Sequence, residues 1–273
     1  MINIRSLVVL AGLLAAIHSG PAVAESIVLA STTSVENSGL LAHIIPPFTA
    51  KTGIPVHVVA QGTGKALDTA RRGDADLLLV HDPEAEAAFM DEGHGGKRRQ
   101  IAWNDFIIVG PSADPAHVRG TSDSVAALKA IAAAKASFVS RGDNSGTNTA
   151  ERRLWKSAGL APGAAEKRDR DLGGGMGQAL NAASAIAAYT LTDRGTWLSF
   201  ANKGSLLIAV EGDPRLINRY DVIELNPQKH ASAKLGPAKI FADWLVSREG
   251  QEAIGAYRVN GERLFNPSAD APK

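Results

Sequence analysis

The chain has 273 residues, with 29 lysines and arginines against 28 aspartates and glutamates, and it contains no cysteine. Missing thiols exclude a disulfide scaffold, a thiolate metal site, a cysteine nucleophile and the lipid-modified cysteine that tethers many exported proteins. The basic clusters Arg71-Arg72, Lys97-Arg98-Arg99 and Arg152-Arg153 are short and interleaved with acids. They read as solvated faces, since a nucleic-acid footprint needs a basic stripe with stacking aromatics.

At the N-terminus Arg5 precedes an apolar run over residues 7–17, and Ala22-Val23-Ala24 stands ahead of Glu25. That order is a secretory signal peptide, residues 1–24, with predicted cleavage after Ala24. The run is shorter than the roughly 20 apolar residues of a membrane span. The mature chain is therefore expected to be soluble, periplasmic and monomeric, with disorder only over residues 267–273.

From residue 25 onward strand-like and helix-like patterns alternate, as in an α/β chain built of βαβ units. Strands are predicted over 26–30, 56–60 and 77–80, the last apolar on both faces as a buried parallel strand is. Helices are predicted over 39–52, 65–72 and 84–92. A strand over 105–109 stops at Gly110-Pro111, a hard break. A second series follows: a helix over 124–134, a strand over 137–140, helices from 147 and over 176–183, a strand over 185–190, and a helix from 193. The run 206–210 reads as a strand leading back, with late helices over 238–247 and 251–256. Each of two lobes is thus a mostly parallel sheet flanked by helices: 25–108 with 202–273 form lobe I, and 109–201 form lobe II. A hinged cleft between them is suited to closing over a ligand.

Small hydroxyl residues and glycines gather where a predicted strand runs into a helix: Ser31-Thr32-Thr33-Ser34, Gly62-Thr63-Gly64 and Arg141-Gly142-Asp143-Asn144-Ser145-Gly146-Thr147. Singly, each reads as an N-cap or a tight turn. Together they place unsatisfied N–H groups, helix dipoles and a guanidinium at the carboxyl ends of strands, where an anion is stabilised. A fully deprotonated tetrahedral dianion only accepts hydrogen bonds, so donors of this kind suit it, and the charge-assisted ones are about twice as strong as neutral ones.

The same loops carry a family likeness. Ser31-Thr32-Thr33-Ser34 with Ser38-Gly39-Leu40-Leu41, Gln61-Gly62-Thr63-Gly64-Lys65-Ala66-Leu67 and Leu79-Val80-His81-Asp82 resemble the tungstate-binding proteins of bacterial ABC importers. Asn104-Asp105-Phe106, Ser140-Arg141-Gly142-Asp143 with Ser145-Gly146-Thr147, and the run Tyr189-Thr190-Leu191-Thr192-Asp193-Arg194-Gly195 continue the resemblance in order. It implies the two-lobe, type II periplasmic-binding-protein fold, no enzymatic activity, no cofactor, and delivery of tungstate, or molybdate, to a membrane permease with its ATPase. It also implies that Thr32, Thr33 and Ser34 face the ion from one side and Arg141, Ser145 and Thr147 from the other, with Thr63 and Thr190 as additions. Two departures stand out: Ser31 replaces the family's usual threonine, and Asn148 stands where the family often has histidine.

Phosphate is the rival ligand, because Asp143 offers an acceptor for a proton-bearing anion; the alternative is that Asp143 caps a helix or pairs with Arg141. A periplasmic hydrolase is the rival of another class, with His81-Asp82 assisting Ser145. No Gly-x-Ser-x-Gly, His-Glu-x-x-His or Walker sequence supports it. More simply, His81 ends a strand at the cleft rim and Asp82 precedes a turn at Pro83. The run Gly173-Gly174-Gly175-Met176-Gly177 follows no strand, as a dinucleotide fingerprint must, and reads as a turn into a helix whose start faces the cleft.

Overall fold

A computed structural model describes residues 25–143, 145–161 and 174–268. The predicted signal peptide, Asn144, Gly173 and residues 269–273 lie outside that set.

The first unit runs β1 (Ile27–Thr32), α1 (Thr33–Asn37), α2 (Leu40–Thr52), β2 (Val56–Gln61), α3 (Thr63–Arg71), β3 (Leu77–Val80) and α4 (Pro83–Asp91). β1 pairs in parallel with β2 on one side and β3 on the other. Successive strand residues point to opposite faces, which sorts the core into two layers. Ile27 and Leu29 pack with Phe48 of α2, while Ala30, Leu78 and Val80 pack with Leu67 of α3 and Phe89 of α4. Gly39 separates α1 from α2 with φ 79°, and a Cβ there would stand 2.3 Å from the Tyr257 hydroxyl. Only glycine meets both demands.

β4 (Gly95–Pro111) then leaves this unit. The second unit holds α5 (Ser124–Ala133), β5 (Phe138–Val139), α6 (Gly146–Ser157), α7 (Met176–Ile186), β6 (Tyr189–Asp193), α8 (Arg194–Ser199) and β7 (Leu206–Val210). Again alternate residues divide the core: Phe106 and Ile108 pack with Leu128 and Trp155, and Ile107 and Val109 with Leu180 and Trp197. The chain returns through β8 (Ile217–Leu225) and ends with α9 (Leu235–Val246), α10 (Arg248–Ala256), β9 (Arg258–Val259), β10 (Glu262–Arg263) and β11 (Asn266–Pro267). Phe241, Trp244 and Ile254 of α9 and α10 complete the layer on α2. Among the described residues no helix is long and apolar enough to cross a membrane.

The strand order is β2-β1-β3-β8-β4-β6-β5, with β7 and β11 also on β4. The sheet is parallel toward both ends, where β1 meets β2 and β3 and where β5 meets β6. Antiparallel β4 and β8 join the ends. β4 pairs with β8 from Gly95 to Asp105 and with β6 from Phe106 to Val109, so this one strand passes from the first sheet region into the second. The result is a two-lobe α/β fold with a cleft across the crossing strands.

Several elements differ from expectation. β4 begins at Gly95, ten residues before the predicted start, because its charged half is paired inside the sheet: Arg99 binds Glu224 at 2.6 Å and Arg98 binds Asp221 at 3.2 Å. Arg99 is therefore withdrawn from the expected solvated face, while Lys97 and Arg98 remain exposed. α7 extends to Ile186, with Ala187 left-handed at φ 52°, which displaces the expected strand over 185–190 to Tyr189–Asp193. The strand over 206–210 forms, but it pairs with β4 at Ile108–Pro111, and the strand that runs back beside β3 is the unforeseen β8. Pro267 pairs with Ala102 and is thus held in the sheet.

Candidate functional site

Helix starts converge on the cleft. Thr32 ends β1 in extended conformation, and its hydroxyl accepts from the Val35 N–H, capping α1. Ser31 turns its hydroxyl the other way, donating to the Leu79 carbonyl at 2.8 Å. The serine at the family's threonine position is therefore a strand-to-strand tie. Gly62 heads α3 and Gly175 heads α7, and no side chain caps either helix. Their first N–H groups keep the positive end of the dipole open to a ligand. α6 is capped by Ser145, whose hydroxyl accepts from the Asn148 N–H at 3.3 Å.

Two adjoining cavities share Thr33, Arg141 and Asp143 as walls. One, of about 410 Å³, is completed by Gly62, Gly64, Lys65 and Ser145. The other, of about 360 Å³, is completed by Ser34, Asn37, Gly174, Gly175, Met176, Asp193 and Thr196. A Cβ added to Gly62, Gly64 or Gly175 would meet no atom within 4 Å. Internal packing does not require glycine there, and the room it leaves belongs to the cavities.

Arg141 is 7% exposed and holds Asp143: Nε donates to Oδ2 at 3.0 Å and Nη2 to the same oxygen. Asp143 Oδ1 accepts from the Ser145 N–H at 3.1 Å. The carboxylate occupies donors that an entering anion would use. Asp193, also at the wall, caps α8 by accepting from the Thr196 N–H and hydroxyl at 2.8 and 2.7 Å, so its charge faces donors of its own.

Beneath Ser34 lies a buried polar chain. Ser34 Oγ is 3.0 Å from Thr32 Oγ1 and 2.8 Å from His81 Nε2, while His81 Nδ1 is 3.1 Å from Asn218 Oδ1. Asn218 Nδ2 donates to Asn104 Oδ1 at 2.9 Å and to the Tyr220 hydroxyl at 2.7 Å. The chain thus joins the cleft to both crossing strands. Burial lowers the His81 pKa against smaller opposing effects of Asn218, Asp193 and Asp82. The imidazole is held neutral by desolvation.

Of the residues singled out in the sequence, Thr33, Ser34, Arg141 and Ser145 line the cavities, and Thr32 supports Ser34. Thr63 lies between lining glycines, and its buried hydroxyl has no hydrogen-bond partner. Thr147 is buried at the second position of α6 and is not a wall residue. Thr190 is not brought to the cleft: its hydroxyl donates to the Val139 carbonyl at 2.8 Å, inside the sheet, leaving no proton for an anion. Asn148 sits behind the wall, where its side chain donates to Ser140 Oγ at 3.0 Å. The conjectured His81–Ser145 pairing does not form, since His81 bonds Ser34 and Asn218 instead. Asp82 caps α4 and pairs with Arg153 at 3.3 Å. The glycine run does face the cleft through Gly174 and Gly175. Asn218 and Asp193 were not named as site residues, although Asp193 stands in the run over 189–195 that carries the family likeness; Asn218 offered only a polar letter at a sheet position.

A two-lobe α/β fold with a donor-lined cleft defines a solute-binding protein, and residues 18–249 match the PBP superfamily domain. Within that superfamily the chain belongs to the TupA family. It is 44% identical over 250 residues to the tungstate-binding protein TupA of Peptoclostridium acidaminophilum, covering 89% of this chain and 86% of that one. The solved structure of the tungstate-binding protein TupA from Desulfovibrio alaskensis G20 superposes with a TM-score of 0.82 at 44% identity, over 90% of this chain and 99% of that one. That of the tungstate ABC transporter from Geobacter sulfurreducens gives 0.76 at 40% identity, over 85% and 98%.

Proposed function

We propose that this protein is the extracytoplasmic binding component of an ABC importer and captures tungstate between α1, α3, α6 and α7 for a membrane permease and its ATPase. The observation that carries the reading is the convergence of Arg141 with the uncapped starts of α3 and α7 on a cleft whose glycine walls leave open room. Thr33, Ser34, Ser145 and the N–H groups after Gly62 and Gly175 surround the ion, and Arg141 leaves Asp143 to join them. Such a set offers many donors and only modest formal charge, which suits a dianion that accepts from every direction. Thr32, Thr63 and Thr147 act from just behind. Lobes I and II are 25–108 with 202–273 and 109–201; residues 1–24 are removed on export, and the mature protein acts as a monomer without catalysis.

Tungstate is preferred over molybdate on family membership, the two dianions being alike in shape and charge. A thermal-shift panel with tungstate, molybdate, sulfate and phosphate tests this. A ligand at about a thousand times its dissociation constant adds ~4 kcal/mol of stability, so tungstate in large excess should raise the melting temperature. A response to phosphate alone would replace tungstate as the ligand, and no response to any oxyanion would refute the reading.

A further inference from the structure

We infer that His81 sets the hydrogen-bonding polarity of Ser34, so that capture of a proton-free oxyanion draws one proton from solvent onto His81. This rests on the proposed seating of the ion over α1.

The inference comes from counting donors. Asn218 gives both amide hydrogens away, to Asn104 Oδ1 and to the Tyr220 hydroxyl, so its Oδ1 must accept from His81. His81 Nδ1 therefore carries a hydrogen, and in the neutral ring Nε2 is bare. The only hydrogen that can lie on the 2.8 Å line between Nε2 and Ser34 Oγ is then the serine's own. Ser34 has no second hydrogen, so across the 3.0 Å contact with Thr32 it is the threonine that donates. Both hydroxyl hydrogens point down the chain toward the histidine, and Ser34 presents its one remaining lone pair to the cleft.

An anion that only accepts is repelled by that arrangement. A proton placed on Nε2 reverses it: Nε2–H donates to Ser34 Oγ, and the serine hydrogen swings to the ion. The N–H bond on Nε2 forms as an O–H bond of hydronium breaks and releases water, and the buffer acid restores the proton to solvent; no other covalent bond changes. Burial, the largest influence on the ring, disfavours its protonation in the free protein. Asp82 at the start of α4 and Asp193 at the start of α8 favour the protonated ring, and Arg141 opposes it. Tyr220 stacks on the ring at 5.1 Å, and Gly146 of α6 closes over its edge, keeping bulk water away. A dianion drawing Arg141 to itself and adding negative charge beside Ser34 tips the balance toward protonation. A proton-bearing oxyanion such as hydrogen phosphate is served by the neutral ring, because Ser34 then accepts its hydrogen. His81 is in this way a positioning residue that separates proton-free from proton-bearing ions.

The test is calorimetric titration of the mature protein with sodium tungstate near neutral pH, in buffers of differing ionisation enthalpy. The apparent enthalpy should vary with the buffer as uptake of up to one proton requires. Affinity should fall as pH rises through the window between the free and bound His81 pKa values, by at most about tenfold per pH unit. His81→Gln should still bind but lose the buffer dependence, because an amide does not titrate. Asn218→Asp keeps the acceptor and adds a charge that favours protonation, so it should move the falling limb to higher pH, and it covers the case in which His81→Gln does not fold. Tungstate binding with a buffer-independent enthalpy, or unchanged uptake in His81→Gln, would overturn the inference alone. Absence of tungstate binding would overturn the functional reading and this inference with it.

Discussion

The hydroxyl of Thr63 is buried at the head of α3 and bonded to nothing. An orphaned polar group costs on the order of 1–3 kcal/mol, and a site that gains a ligand is where such a cost is recovered. Thr63→Val should therefore leave the free protein as stable or more so while shrinking the stabilisation by tungstate, measured as melting temperature with and without the ion. Gly175 makes the complementary case. Its φ of −68° suits any residue and a Cβ would meet no atom within 4 Å, so Gly175→Ala should fold normally. If the space belongs to the ion, its affinity by calorimetry should fall tenfold or more.

At the scale of elements, the sheet joint carries a buried acid pair. Glu86 of α4 is 1% exposed, accepts from the Asp82 N–H at 2.8 Å, and faces Asp221 of β8 and Arg98 of β4. Burial, and then the Asp221 charge, push its pKa far above the ordinary carboxyl range. A carboxyl raised in the folded state binds its proton more tightly there than in the unfolded chain, so it stabilises at low pH and that contribution declines as pH rises toward the folded pKa. Denaturant unfolding between about pH 5 and about pH 8 should show a declining contribution in the native protein that Glu86→Gln removes. The same joint marks where the sequence was legible and where it was not. Leu77–Val80, apolar on both faces, announced a buried strand and formed one. Lys97-Arg98-Arg99-Gln100 and Asn218-Arg219-Tyr220-Asp221 concealed theirs, because Arg98 is matched to Asp221 and Arg99 to Glu224 across β4 and β8 while Lys97 and Arg219 stay exposed, so the runs read as surface. The loops that line the cavities were readable as helix starts, because hydroxyls, glycines and an arginine gather there at strand ends. Thr190 misled because a hydroxyl that ties two strands has the same letter as one that holds an ion.

Across the whole molecule, the lobes meet where the ion is expected. Gly146 at the start of α6 packs on the His81 ring, so that a Cβ there would stand 2.6 Å from Cε1. Arg153 of α6 reaches the Asp82 cap of α4 at 3.3 Å. Gly146→Ala should wedge α6 away from β3, leaving each lobe folded but lowering affinity through faster release of the ion, as read from dissociation kinetics. The central claim is that one oxyanion is held jointly by both lobes. The most direct measurement is a crystal structure of the mature protein grown with tungstate, using the anomalous signal of tungsten. The peak is expected between α1, α3, α6 and α7, with Arg141 turned from Asp143 onto an oxygen of the ion. A tungsten peak elsewhere, or an Arg141 still bound to Asp143 beside a fully occupied ion, would contradict the account.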